Sequence, residues 1–325
     1  MSPNHDNRSK CPACQAEETE VVWPAPRPQP FHLERCRRCQ LVFTVPRLNP
    51  DEMLAYYDDR YYGKNNVRFG PVFERLVGWC RRRRADKICQ FVPRGRVLDV
   101  GCGRGHILAN LRDRGWKVQG VELNEPAVRH ARDVLGLDVR VESFDAARFP
   151  AEHFDVVILW HVLEHLTDIN AVLSGCARIL RPGGLLAISV PNIDSWQATL
   201  TGNQWFHLDL PRHYHHFSEQ WLRNNLSQHA LRVVEVNHFA FEQNPFGWIQ
   251  SILNCCGLPR NLLYDMLKSG SAKTISRPFG EFPLASIGSL AGFVGLLVPA
   301  LFMLIPETIF HRGATIDLFA IKESS

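Results

Sequence analysis

Asp99, Gly101, Gly103 and Gly105 stand at alternate positions in Val97-Leu98-Asp99-Val100-Gly101-Cys102-Gly103-Arg104-Gly105-His106. An apolar run that ends in an acid and then carries three spaced glycines suits a strand, a tight turn where backbone meets a ligand, and a helix starting near Ile107. Glycine serves such a turn because it has no side chain and tolerates positive φ. A dinucleotide turn needs a small residue at its sixth position, where helix packs on strand. His106 stands there, which argues against NAD and FAD, and no Lys-Ser/Thr pair follows to make a P-loop. A nucleoside ligand without a pyrophosphate remains, with S-adenosylmethionine first. Glu122 lies 23 residues after Asp99, where an acid holds a ribose diol in folds of this kind.

Cys11, Cys14, Cys36 and Cys39 form two C-x2-C knuckles separated by 21 residues. Four thiolates so spaced suit one tetrahedral, structural zinc ion in a zinc ribbon. Pro24, Pro26, Pro28 and Pro30 explain the long interval as a stiff hairpin tip. No secretory signal precedes the knuckles, so a reducing compartment is expected, which disfavours disulfides. Cys80, Cys89, Cys102, Cys176, Cys255 and Cys256 lack knuckle spacing and read as small apolar residues.

Histidines supply the remaining chemistry. His161, Glu164 and His165 follow an apolar run, and Trp205 to Phe217 holds His207, His213, His215 and His216. This second segment is placed to cover a methyl acceptor, because ligands sit beyond the carboxyl ends of parallel strands. A metal there would have only Asp209 as a carboxylate partner, so a general base is the better reading. Neutral His161 or His213 could take a proton from an acceptor hydroxyl near neutral pH.

The elements that position these residues alternate. Strands are expected at Val97–Val100, Trp116–Leu123, Val139–Asp145, Phe154–His161, Leu185–Val190, Leu231–Phe239 and Thr315–Lys322, with helices at Pro126–Leu135 and Asp168–Leu180. Such alternation argues for an α/β protein with a parallel sheet covered on both faces. The segments DVGCGRG (99–105), VELN (121–124), FDVVILWHVLEHLTD (154–168) and LRPGGLLAISVPN (180–192) resemble the class I S-adenosylmethionine-dependent methyltransferases in order and spacing. CRRCQLVFTVPRLNPDEMLAYYDDRYY (36–62) resembles a bacterial subgroup in which a zinc ribbon precedes the methyltransferase. The resemblance implies a Rossmann-like, seven-stranded sheet whose final strand is antiparallel. It implies that Asp99, Gly101, Cys102, Gly103 and Gly105 line the methionine end of the cofactor and that Glu122, with Leu123 beside it, meets the ribose. It places Ser143, Phe144 and Asp145 by the adenine, Trp160 at the cofactor, and His161 facing the acceptor. The organisation expected is a ribbon at 1–46, a tyrosine-rich helical connector at 47–95, the methyltransferase domain at 96–245 plus 313–325, and an apolar helical insertion at 246–312.

Phe282 to Pro306 is 25 residues without a charge, long enough to cross a bilayer. A single crossing would separate two strands expected to pair, so the segment should lie at a membrane surface or pack on protein, against Phe246–Cys256. Pro299 favours a break, and Ala285, Gly288, Gly292 and Gly295 make a stripe suited to close packing. Arg81 to Arg84 read as a solvated helix face. The net charge of +4 and pI of 8.5 fall short of a nucleic-acid domain. The first ten residues, being polar, are expected to be disordered. Tyr56, Tyr57, Tyr61 and Tyr62 read equally as a lid or as packing for the ribbon. The expected function is methyl transfer to an O or C atom of a sugar, lipid-linked glycan or related lipid. The expected place is the cytoplasm, on the inner face of the cytoplasmic membrane, with oligomers possible. RNA or protein methylation guided by the ribbon, or a non-catalytic cofactor-binding scaffold, are the alternatives.

Overall fold

In the computed structural model the described residues are 10–24, 30–49, 52–53, 55–56, 71–145, 147–268 and 280–324. Tyr57, Tyr61, Tyr62, Pro26, Pro28 and the first nine residues lie outside them.

The apolar runs become parallel strands, the central three largely buried on both faces and the outer two part-exposed. They are β4 (Arg96–Val100), β5 (Lys117–Glu122), β6 (Val139–Val141), β7 (Phe154–Trp160) and β8 (Leu180–Pro191). With β10 (Leu231–Asn237) and β11 (Thr315–Lys322) they form one sheet of order β10-β11-β8-β7-β4-β5-β6. β11 runs antiparallel to both β8 and β10, and the remaining pairs are parallel. This is the Rossmann-like methyltransferase sheet with its final strand reversed. The third strand stops at Val141 because Phe144 turns to pack on Gly175. The fifth begins earlier than expected, since Leu180 pairs with Phe154 across a register shift.

Five helices flank the sheet or its edges: α1 (Pro71–Phe91), α2 (His106–Arg112), α3 (Glu125–Arg129, continued as a π turn to Val134), α4 (Ile169–Ile179) and α5 (Trp196–Thr201). Each of α3 and α4 starts at a side-chain cap: Asn124 accepts from the Ala127 N–H, and Asp168 from that of Ala171. α6 (Glu219–Ser227) starts at Ser218 in the same way.

Before the main sheet come β1 (Thr19–Trp23), β2 (His32–Cys36) and β3 (Val42–Val45). Their sheet gains a fourth strand from a distant part of the sequence, β9 (His215–His216), paired with Val42 and Phe43. The segment expected to cover the acceptor therefore spends two of its histidines on strand pairing. His213, His215 and His216 are buried.

The insertion holds α7 (Asn244–Cys255), α8 (Leu262–Lys268) and α9 (Pro283–Ile309). α7 packs on α9 as anticipated: a Cβ on Gly292 would come within 2.6 Å of Leu253 Cδ2. The stripe is tight at Gly292 alone, since Gly288 only touches Leu258 and Gly295 has open space. α9 runs unbroken through Pro299, contrary to the expected break. The carbonyl that proline disrupts belongs to Gly295, whose missing side chain leaves open space on that turn of the helix.

Candidate active site

The glycine turn after β4 has the conformation its composition demands: Gly101, Gly103 and Gly105 have φ of +67°, +54° and +76°. Their surroundings differ. A Cβ on Gly101 would strike Val162, and one on Gly105 would strike Leu137, whereas nothing lies within 4 Å of one on Gly103. Gly103 is thus the point where a ligand can approach the backbone. Glu122 accepts from the Gly103 N–H at 2.9 Å and from the Asn124 N–H at 2.8 Å, so its carboxylate lies against the turn. Asp99 is buried, and desolvation, with Glu122 beside it, pushes its carboxyl up to about 8. Open space at Gly103, with two acids converging beside it, fits the amino acid and ribose ends of S-adenosylmethionine. The Cys102 side chain is half-buried and faces Gly120, its thiol pushed far up by desolvation, so only its backbone belongs to the turn. Leu123 is exposed. Ser143 and Asp145 are exposed, while Phe144 is committed to Gly175 and Phe149.

Arg84 changes the reading of the arginine run. Arg82 and Arg83 are solvated, but Arg84 ion-pairs with Glu242 and lies 4.6 Å over the Trp160 ring. Burial lowers its pKa to about 10, while Asp317 and Asp99 oppose the shift. The signal was present in the periodicity: Cys80, Arg84 and Ile88 are four apart, and Cys80 and Ile88 are buried. The Trp160 indole N–H has no acceptor among the described residues.

His161 follows β7 with φ of +54°, a strained value for a side-chain-bearing residue and one that concentrates at functional sites. Its ring is held from three sides. Nδ1 lies 3.3 Å from Glu164 Oε1, and Nε2 lies 2.6 Å from Gln243 Nε2 and 3.3 Å from Ser189 Oγ. The Gln243 amide nitrogen can only donate, which assigns Nδ1–H to Glu164 and the Nε2 lone pair to the side that receives it. Ser189 in turn donates to Asp317 Oδ1 at 2.7 Å, and Thr315 donates to Gln243 Oε1 at 3.2 Å. Glu164 is buried, and desolvation pushes its carboxyl up to about 7. This carboxylate–imidazole pair can orient a base and stabilise its protonated form.

His213 lies in the same quarter but is sealed. It is 7% exposed, its ring is 4.7 Å from that of His165, and burial holds its pKa well below the usual value. Polar atoms of Glu164, His165 and His213 lie within 4.8 Å of one another. Of the two expected bases, His161 alone is part-exposed, at 23% of its side chain. Gln243, Glu242, Ser189 and Asp317 are not singled out by the sequence, and Arg84 is read there only as part of a solvated face. They come from α1 and from strand ends or loops far apart in the chain.

At the N-terminus, Cys11 Sγ lies 3.5 Å from Cys39 Sγ and Cys14 Sγ 3.5 Å from Cys36 Sγ, with all four sulfurs within 4.8 Å. Tetrahedral Zn–S bonds of about 2.3 Å require sulfurs about 3.8 Å apart, and a disulfide about 2.05 Å. The spacing fits the metal.

Comparison with known proteins decides the family. Residues 72–236, just over half of the chain, match the family described as methyltransferase domain. The chain belongs to this methyltransferase family. Relatives of the methyltransferase region include the ubiquinone biosynthesis O-methyltransferases of Thiobacillus denitrificans and of a Bradyrhizobium species. The first is 35% identical over 162 residues, covering 47% of this chain and 68% of the relative. The second is 30% identical over 160 residues, covering 46% of this chain and 63% of the relative. The chain thus spans about two thirds of the length of such relatives. Among solved structures, an S-adenosylmethionine-dependent methyltransferase from Archaeoglobus fulgidus is 20% identical with a TM-score of 0.48. That match covers 83% of this chain and 99% of the other.

Proposed function

We propose that this methyltransferase moves a methyl group from S-adenosylmethionine to an oxygen of a small acceptor carried on a lipid or lipid-linked glycan, at a membrane surface. The cofactor's sulfonium supplies an already activated methyl group. The chain's own work is then positioning and one proton transfer. Asp99, the glycine turn and Glu122 would hold the cofactor, and Arg84 suits the carboxylate at its methionine end. His161 Nε2 would take the acceptor hydroxyl's proton once Gln243 yields its place, with Glu164 steadying the ring. Oxygen as the methylated atom is supported by the names of the relatives. Zinc in the four-cysteine cluster would be structural.

The observation that carries the membrane half is the exposure of α9. Leu284, Val294 and Phe302 are 84%, 74% and 71% exposed, and Ile305, Ile309 and Phe310 continue the face. α9 is the described helix long and apolar enough to cross a bilayer by length and composition. β10 and β11 pair at its root, so it is read as lying in the interface. That root adjoins His161: Thr315, which opens β11, donates to Gln243 Oε1, and Gln243 Nε2 lies against His161 Nε2. An acceptor with an apolar tail could lie along α9 with its head in the site.

The test uses methyl-labelled S-adenosylmethionine and extract from a strain lacking the gene, split into lipid, glycan, protein and nucleic-acid fractions. Label in lipid or glycan, absent with an Asp99→Ala variant, is the expected result. Label in protein or nucleic acid would sink the lipid reading and make the ribbon a target reader.

A further inference from the structure

Glu219, His238 and His311 take no part in the methyl-transfer site, yet they meet where the insertion leaves and rejoins the sheet. Glu219 opens α6, His238 directly follows β10, and His311 lies between α9 and β11. Glu219 Oε2 is 2.9 Å from His238 Nε2 and 3.0 Å from His311 Nδ1. All three atoms lie within 4.8 Å of one another. The other carboxylate oxygen accepts from Arg223 Nε at 2.7 Å, which fixes the plane of the group. His238 is 1% exposed and the His311 side chain 55%, so the cluster has a closed floor and an open mouth.

Two imidazoles and a carboxylate are the donor set of borderline divalent ions such as Zn2+, Co2+ and Ni2+. Bonds of about 2.0–2.2 Å in a tetrahedron place neighbouring ligand atoms about 3.4 Å apart. The carboxylate oxygen need separate from each ring nitrogen by only about 0.4 Å to admit the ion.

We propose that Glu219, His238 and His311 form a second divalent transition-metal site, completed by water, that clasps the two ends of the insertion. The first helix of this region, α7, begins six residues after His238, at Asn244, and its last, α9, ends two residues before His311. An ion bound there ties β10, α6 and the end of α9 at one point. Because only the folded chain presents all three ligands together, binding stabilises the native state.

The test starts from full-length protein whose cysteine cluster is already filled with Zn2+. Co2+ is then titrated while visible absorption and the thermal midpoint are followed. The expected result is one further equivalent, with visible d–d bands but no thiolate charge-transfer band, and a rise in midpoint. His311→Ala, at an exposed position, should weaken this binding at least about tenfold, and Glu219→Gln likewise. Absence of a further equivalent, a thiolate-type spectrum, or unchanged affinity in His311→Ala would each overturn the proposal.

Discussion

At the scale of single residues, the site turns on whether Glu164 is ionised. Its carboxyl titrates near 7, raised by burial. Below that pH it is neutral and no longer stabilises a protonated His161, so kcat/KM should rise with pH through a limb near 7. Glu164→Gln should abolish that limb and lower turnover about ten- to hundredfold, and His161→Ala should lower it by about 10² or more. Isothermal titration should find cofactor affinity kept in both. A pH profile of Glu164→Gln that still shows the limb would assign it to another group. His213→Ala should affect stability more than turnover, because the ring is sealed among His165, His216 and Asp209. The sequence makes His161 and His213 equal candidates. Burial separates them, and burial depends on β9 joining a sheet made by residues 170 positions earlier. The glycine turn, by contrast, is legible because its function is local: backbone torsion and absent side chains are written directly in residue type.

At the scale of elements, strands and capped helices are legible because periodicity and caps act over a few residues. The loop that carries Glu242 and Gln243 is not, since its role is set by which distant residues it meets. α9 is legible as apolar but not as continuous, and its packing rests on Gly292. Gly→Ala at Gly295 should stabilise the chain by about 0.5–1 kcal/mol, the helix-propensity gain. The same change at Gly292 should lose that gain or reverse it against buried Leu253. Thermal melts of the two variants decide it. Near the end of α9, Glu307 is buried and accepts from Trp248 Nε1 at 2.9 Å, and desolvation raises its carboxyl from 4.5 to about 7. The folded state therefore holds a proton that the unfolded chain releases above 4.5. This contribution is complete below that pH and is lost as pH rises through about 7. Glu307→Gln should gain on the wild type in melting midpoint between about pH 5 and pH 8, and a constant difference would refute the linkage.

At the scale of the whole molecule, two accessory structures adjoin the residues proposed for the acceptor side of one cofactor domain. The four-cysteine cluster is followed by β3, whose Thr44 hydroxyl donates to the His213 carbonyl at 2.6 Å. Chelating the zinc proposed for it should therefore raise KM for the acceptor while leaving cofactor affinity nearly unchanged. Equal loss of both would mean general unfolding. The second accessory is the exposed side of α9, and here area sets the magnitude. Burying a Val or Phe side chain in an apolar phase yields about 1.5–3 kcal/mol. Removing two such contacts with Val294→Glu and Phe302→Glu should cost at least about 3 kcal/mol, or roughly a hundredfold in vesicle affinity. Flotation with anionic vesicles should carry the wild type upward and leave the double variant in the lower fractions. Both side chains are exposed, at 74% and 71%, so the variant should fold and keep its cofactor affinity. A double variant that floats like the wild type would remove α9 from the membrane and leave its apolar face to cover another protein surface.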